Sequence, residues 1–172
     1  NETTGTPSTE VAGAISSSSV AVGSDLKVET AKYFDTNMVK YTPTTSNAGN
    51  VEGVMIEYRV KPKAGVTFKP TSISYAAVKV GTDNATYSWS YTLDGVESTI
   101  TWIDPQTDLL RNDNSNSGTA KLIHNETITA EGANEFTLRF YISECANNKN
   151  ICIGNFVIDG IFNGTVEDVA QY

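Results

Sequence analysis

The 172-residue chain predicts an all-β domain, an antiparallel β-sandwich of jelly-roll-like type with about ten strands and little helix. Three observations lead there. Apolar and polar residues alternate in many short runs, clusters of Gly, Pro, Asn and Asp separate those runs, and no window holds an apolar stripe of helical period. No internal repeat of about 20 to 50 residues is present, which argues against a propeller or solenoid.

Taken in order, residues 1–10 are all small or polar and read as a flexible linker, with an ordered edge strand as the alternative. The single domain then spans 11–165. Strands are expected at 15–22, 26–30, 38–42, 54–60, 72–80, 86–93, 98–102, 122–129, 135–143 and 151–162. In the fourth, Val54, Ile56, Tyr58 and Val60 share one face, and Glu57 and Arg59 the other. In the ninth, Phe136, Leu138, Phe140 and Ile142 point inward, and a one-residue slip would bury Arg139, so its register is firmly specified. Asp94-Gly95 suits a tight hairpin, whereas Pro62 and Pro70 interrupt pairing because proline lacks a donor. Residues 166–172 read as the start of an exit linker.

Composition restricts function. Lys and Arg total 12 against 20 Asp and Glu, a formal charge of -8, with no basic run, so nucleic acid is excluded as a partner. No apolar stretch reaches the roughly 18 residues that would span a bilayer. Thr, Ser and Asn make up 52 residues (22, 15 and 15) while only 19% are charged, a balance that points to a secreted or cell-surface protein. A chain of this length buries about two-thirds of its unfolded surface and needs no disulfide framework. Cys145 and Cys152 flank a stretch that, folded as a hairpin about Asn148-Lys149, sets them across from one another, so a disulfide and two free buried thiols are both open.

Catalytic signatures are scarce. His124, the one histidine, sits in a strand-like run, and the chain has no G-x-S-x-G or H-E-x-x-H sequence and no phosphate-cradling glycine loop. The longest polar loop, 104–118, follows Trp102. Its Arg111 offers a planar donor fork, Asn112, Asp113 and Asn114 offer paired donors and acceptors, and Trp102 offers a flat apolar face. Together these groups suit sugar hydroxyls, ring faces and uronate carboxylates. A plain solvated loop is the competing reading. Asn112, Asn114 and Asn116 alternate as in a calcium loop but without its glycine and terminal glutamate. Tyr87, Trp89 and Tyr91 share one face of a strand, either as core, which the small polar opposite face favours, or as a stacking platform for polysaccharide. Lys61, Lys63 and Lys69 form a basic cluster about the Pro62 turn, either a solvated hairpin tip or a contact for an acidic glycan.

The segments 68–75, 80–83, 93–95, 111–113, 138–142 and 153–160 occur in an order that resembles a non-catalytic β-sandwich module of secreted bacterial pectate lyases and other polysaccharide-degrading proteins. The likeness covers roughly residues 51–166. It implies a carbohydrate-binding module that holds a partner catalytic domain on plant cell-wall polysaccharide, pectin being the first candidate, with Arg111-Asn112 as the functional loop. The cysteine pair departs from that pattern. A charge of -8 also repels a polyanion, unless the Arg111 or Lys63 region, or bridging calcium, supplies local positive charge.

The expected protein is therefore a monomeric, non-catalytic polysaccharide-binding module attached to neighbouring modules, with Trp102, Arg111, Asn112, Asp113, Asn114, Lys63 and Trp89 as candidate ligand contacts. Two other classes stay open. A structural or adhesive surface domain would space modules or bind a protein partner. A small glycan-active enzyme would need two carboxylates about 5 to 9.5 Å apart in a groove.

Overall fold

A computed structural model describes residues 2–4, 13–33, 35–45, 52–80, 86–100, 111–112, 122–143 and 150–167. Among them are twelve strands: β1 (Glu2–Thr4), β2 (Ile15–Val22), β3 (Leu26–Tyr33), β4 (Thr36–Pro43), β5 (Met55–Pro62), β6 (Val66–Val80), β7 (Thr86–Leu93), β8 (Val96–Ile100), β9 (Arg111–Asn112), β10 (Leu122–Thr127), β11 (Phe136–Ser143) and β12 (Asn150–Gly164). The helical element among them is a single 3-10 turn at Glu52–Val54. One sheet runs β1-β2-β5-β11-β7-β8, and the other runs β10-β6-β12-β4-β3 with β9 beside β6. Pairing is antiparallel apart from the two-residue β6–β9 contact. The predicted sandwich is present, with a strand at each of the ten expected places, residues 101–102 of the seventh lying outside the described residues.

Two short strands are additional. Glu2–Thr4 pair with Ser19–Ala21 of β2, which corrects the reading of the whole opening decapeptide as linker. A backbone ladder on a sheet edge needs no apolar side chains, so composition gave no sign of it. At the other end, the Glu167 N–H still donates to the Ala64 carbonyl, and residues 168–172 lie outside the described residues.

Alternation builds the core. Trp89 and Tyr91 of β7, Phe136, Leu138, Phe140 and Ile142 of β11, and Ile56 and Tyr58 of β5 face Phe68, Ile73, Tyr75 and Ala77 of β6, Tyr41 of β4 and Ile151 and Ile153 of β12. Across the two sheets Tyr58 stacks on Phe156 (centroids 4.0 Å apart), and Tyr75 meets Phe140 edge to face (5.6 Å). A hydrogen bond between the Tyr58 and Tyr41 side chains also joins the sheets. Burial raises both phenols, Tyr58 well above its ordinary value.

The turn chemistry holds at Asp94 (φ 52°) and Gly95 (φ 86°), whose paired left-handed conformations make the tight β7–β8 turn. The Asp94 carboxylate accepts from the backbone N–H groups of Asn134 and Glu135, clamping this hairpin to the start of β11. Pro70 does not end its strand as expected. β6 continues through it with a register irregularity opposite Asp159 and Gly160, the kind of site that accommodates a residue without an N–H.

Candidate functional site

The first sheet has one face in the core and one turned away from it. Because Ile56, Tyr58, Trp89, Tyr91, Leu138 and Phe140 point inward, their alternates Glu57, Arg59, Ser90, Thr92, Thr137, Arg139 and Tyr141 share the outer face. Register arranges them in rows. One row places Arg59, Thr137 and Thr92 on successive strands. The next places Glu57, Arg139 and Ser90, and the third places Met55, Tyr141 and Ser88. Adjacent strands lie about 4.8 Å apart, so the residues of each row are cross-strand neighbours.

Glu57 lies at the centre. Its Oε1 accepts from Arg59 Nε at 2.8 Å and its Oε2 from Arg139 Nε at 2.9 Å, and the residue is only 7% exposed. Burying a carboxylate is costly unless it is paired and hydrogen-bonded, and here both oxygens are engaged. The carboxylate is a brace. It holds two guanidinium groups side by side that would otherwise repel one another, one from its own strand and one from the adjacent strand. Ser90, Thr92 and Thr137 lie between these longer side chains and are themselves buried. The Ser90 hydroxyl, in a residue 3% exposed, has no hydrogen-bond partner among the described residues. Leaving a buried hydroxyl of this kind without a partner costs about 1–3 kcal/mol.

The outer face of the second sheet is built differently. Met38, Ala76, Val78 and Cys152 form a small separate apolar cluster there, with Ala31 and Tyr33 against it. At its margin Glu29 accepts from Lys27 (3.0 Å) and Lys40 (3.1 Å) in an exposed triad, and Lys27 first, then Lys40, hold its carboxyl below the usual range. Surface ion pairs of this sort contribute little to stability. Among the described residues no group of three His, Cys, Asp or Glu side chains could hold a metal, and no helix is long and apolar enough to cross a membrane.

The residues singled out from sequence are dispersed. Trp89 is fully buried between Tyr91 and Phe140, so the aromatic row is core at Trp89 and Tyr91, and Trp89 is corrected from ligand contact to packing residue. Lys63 is exposed in the turn between β5 and β6. That turn joins the two sheets, so Lys61 lies on the outer face of the first and Lys69 on that of the second. Arg111 and Asn112 form β9 and pair with Lys79 and Val80 at the second sheet, away from the Glu57 face. Trp102, Asp113 and Asn114 lie outside the described residues, as does the 114–116 part of the calcium-like spacing.

Cys152 carries a free thiol, and Cys145 lies outside the described residues. The hairpin on which their pairing was premised runs through residues 144–149, outside the described residues. β11 belongs to the first sheet and β12 to the second, and Cys152 sits between Lys40 of β4 and Val78 of β6. Burial pushes its thiol up to about 12, against a smaller opposing effect of Lys40. Such a thiol is inert as a nucleophile.

Sequence reading missed the Glu57–Arg139 pair. A signal existed in the polar alternates of two strongly alternating strands, but which strands neighbour one another was not legible.

No known family model matches the chain, and no curated protein matches it. Solved structures do. The CBM22-1 xylan-binding domain from Paenibacillus barcinonensis Xyn10C is similar over 82% of this chain and 85% of its own, with a TM-score of 0.51 and 12% identity. A carbohydrate-binding module of family CBM28, specific for non-crystalline cellulose, aligns over 82% and 86% with a TM-score of 0.46 and 11% identity. The CBM61 module solved with β-1,4-galactotriose aligns over 87% and 92% with a TM-score of 0.40 and 10% identity. The first of these likenesses shows a shared fold, an antiparallel β-sandwich.

Proposed function

We propose that the chain is a non-catalytic module that binds polysaccharide on the outer face of the β1-β2-β5-β11-β7-β8 sheet. The observation that carries this reading is the polar face itself. A buried glutamate braces two arginines beside buried hydroxyls, one of them unpartnered among the described residues, with Tyr141 in the adjacent row. The shared fold with a xylan-binding domain supports it. Hydroxyl-rich ligands need forks of donors and acceptors together with an aromatic face, and this surface offers both. Glu57 has both oxygens engaged by arginines, so it suits positioning rather than acid–base chemistry.

Within this reading, pectin is the first candidate among plant cell-wall polysaccharides, and the module belongs to a secreted or surface-attached protein that degrades them. The loop with Trp102, Arg111, Asn112, Asp113 and Asn114, together with Lys63, is retained as a second set of contacts, separate from the sheet face. The test is affinity electrophoresis of the chain against homogalacturonan, rhamnogalacturonan, xylan, glucans and mannans, with and without calcium. Retention on at least one glycan, lost in a folded Tyr141→Ala variant and kept in Arg111→Ala, supports the sheet face. Loss in Arg111→Ala alone moves the site to the loop. A folded chain retained by none of these glycans refutes the reading.

A further inference from the structure

The Glu57 network positions an arginine in a way that points to the class of glycan. Two guanidinium groups, of Arg59 and Arg139, share the Glu57 carboxylate in a chain whose formal total is -8. Lys61 follows Arg59 on the same face of β5, exposed, Glu135 immediately precedes β11, and register sets Glu97 of β8 opposite Thr92 in the row of Arg59. The overall negative field is screened beyond about 8 to 10 Å at physiological salt, so a ligand on this face responds to these local groups more than to the total.

The geometry of the brace matters as much as the charge. Glu57 receives Arg59 through Nε, which engages one of five N–H donors in the guanidinium plane. The end-on fork made by the two terminal nitrogens is not used by that bond. The Arg59 side chain is 53% exposed, against 9% for Glu57, so the brace is buried and the fork is accessible. A planar fork pre-positioned in this way matches a carboxylate with two parallel hydrogen bonds. The exposed Lys27–Glu29–Lys40 triad on the other sheet has the same charge count but only point-charge ammonium groups.

We infer that this face selects glycans bearing free uronate carboxylates, with Arg59 as the specificity-determining contact and Glu57 as the positioning residue. This rests on the polysaccharide-binding reading of the same face. The measurement is titration calorimetry with oligogalacturonate, its methyl ester and neutral xylo-oligosaccharide, on the wild-type chain and on Arg59→Gln, Arg59→Lys and Lys27→Gln. The free acid is expected to bind at least about tenfold tighter than the ester, the increment of a hydrogen bond to a charged group. Arg59→Gln should bring acid and ester to equal affinity, Arg59→Lys should restore only part of the difference, and Lys27→Gln should leave it unchanged.

Equal binding of acid, ester and neutral glycan by wild type overturns the uronate inference and leaves the binding-module reading standing. Equal losses in Arg59→Gln and Lys27→Gln would show general charge attraction and also overturn it. No binding of any of the three, with the circular dichroism of the folded chain, overturns the uronate inference, and the binding-module reading falls with it only when glucans and mannans are not retained either.

Discussion

Trp89 is where the two readings of the aromatic strand diverge most, and its truncation separates them. In the structure the side chain is fully buried, with ring centroids 6.3 Å from Phe140 and 6.5 Å from Tyr91. A buried aromatic of this size removes about 150–250 Å² from water, worth about 4–6 kcal/mol at roughly 25 cal/mol per Å². Residual burial in the denatured chain lowers that by roughly 10–40%. Trp89→Ala is therefore expected to cost about 3–5 kcal/mol, in line with large-to-small aromatic truncations in other cores. A domain of this kind has about 5–15 kcal/mol in total, so the variant folds with a thin margin. With a urea dependence of about 2 kcal/mol per M, the midpoint should fall by roughly 2 M, followed by far-UV circular dichroism because the mutation removes a fluorophore. Trp89→Phe should cost less, since the ring still fills part of the site. A cost below about 1 kcal/mol for Trp89→Ala, together with lost glycan retention, would place the indole on the surface and refute the packing argument.

Two further outcomes follow from local geometry and burial. Gly95 needs a left-handed backbone, and a Cβ there would meet no neighbouring atom, so Gly95→Ala should cost about 1 kcal/mol from conformation alone. A Cβ at Gly160 would strike the ring of buried Phe68 and lie 2.7 Å from the Lys69 carbonyl, so Gly160→Ala should cost about 3 kcal/mol, and equal costs in urea unfolding would contradict this. The thiol of Cys152 and the phenols of Tyr41 and Tyr58 have folded-state pKa values raised by burial. Their contribution is therefore fully present below the unfolded values and is lost as pH climbs, for Cys152 between 9.0 and about 12. The three-unit rise at Cys152 corresponds to about 4 kcal/mol as an order of magnitude. Urea midpoints should fall between pH 8 and 11, less steeply in Cys152→Ala, and a wild-type midpoint flat across that range would show the thiol to be solvated.

How much of this was legible in sequence depends on the range of the interaction. Period-two alternation is a local property, and it identified the inward residues of β5 and β11 correctly, along with the Asp94-Gly95 turn. The cysteine hairpin was a different case, since β11 and β12 on either side of it belong to different sheets and residues 144–149 lie outside the described residues. A short polar segment between two strands looks the same whether the chain turns back within a sheet or crosses from one sheet to the other, and only the packing of the whole core decides. The same ambiguity holds for the lysines about Pro62, because the connection there passes between sheets and carries Lys61 and Lys69 to different ones.

The candidate site lies beyond both limits. Glu57 and Arg59 were visible as the polar face of a strand, and Arg139 as a residue that register keeps out of the core, yet nothing local says that residues 57 and 139 are opposite one another. That juxtaposition requires β11 to lie between β5 and β7, which places the Glu57 carboxylate against two guanidinium groups and the Ser90 hydroxyl in the same row. A sheet face built this way is more rigid than a loop, since each side chain is held by a strand that also anchors core residues such as Tyr58 and Phe140. If Glu57 is a brace, Glu57→Gln should weaken glycan binding by releasing Arg59 while leaving its charge in place. The substitution makes the local charge more positive by one, so salt would then weaken the remaining binding at least as steeply as in wild type. Affinity retained in Glu57→Gln would mean that charge alone recruits the ligand and that the fork geometry is incidental.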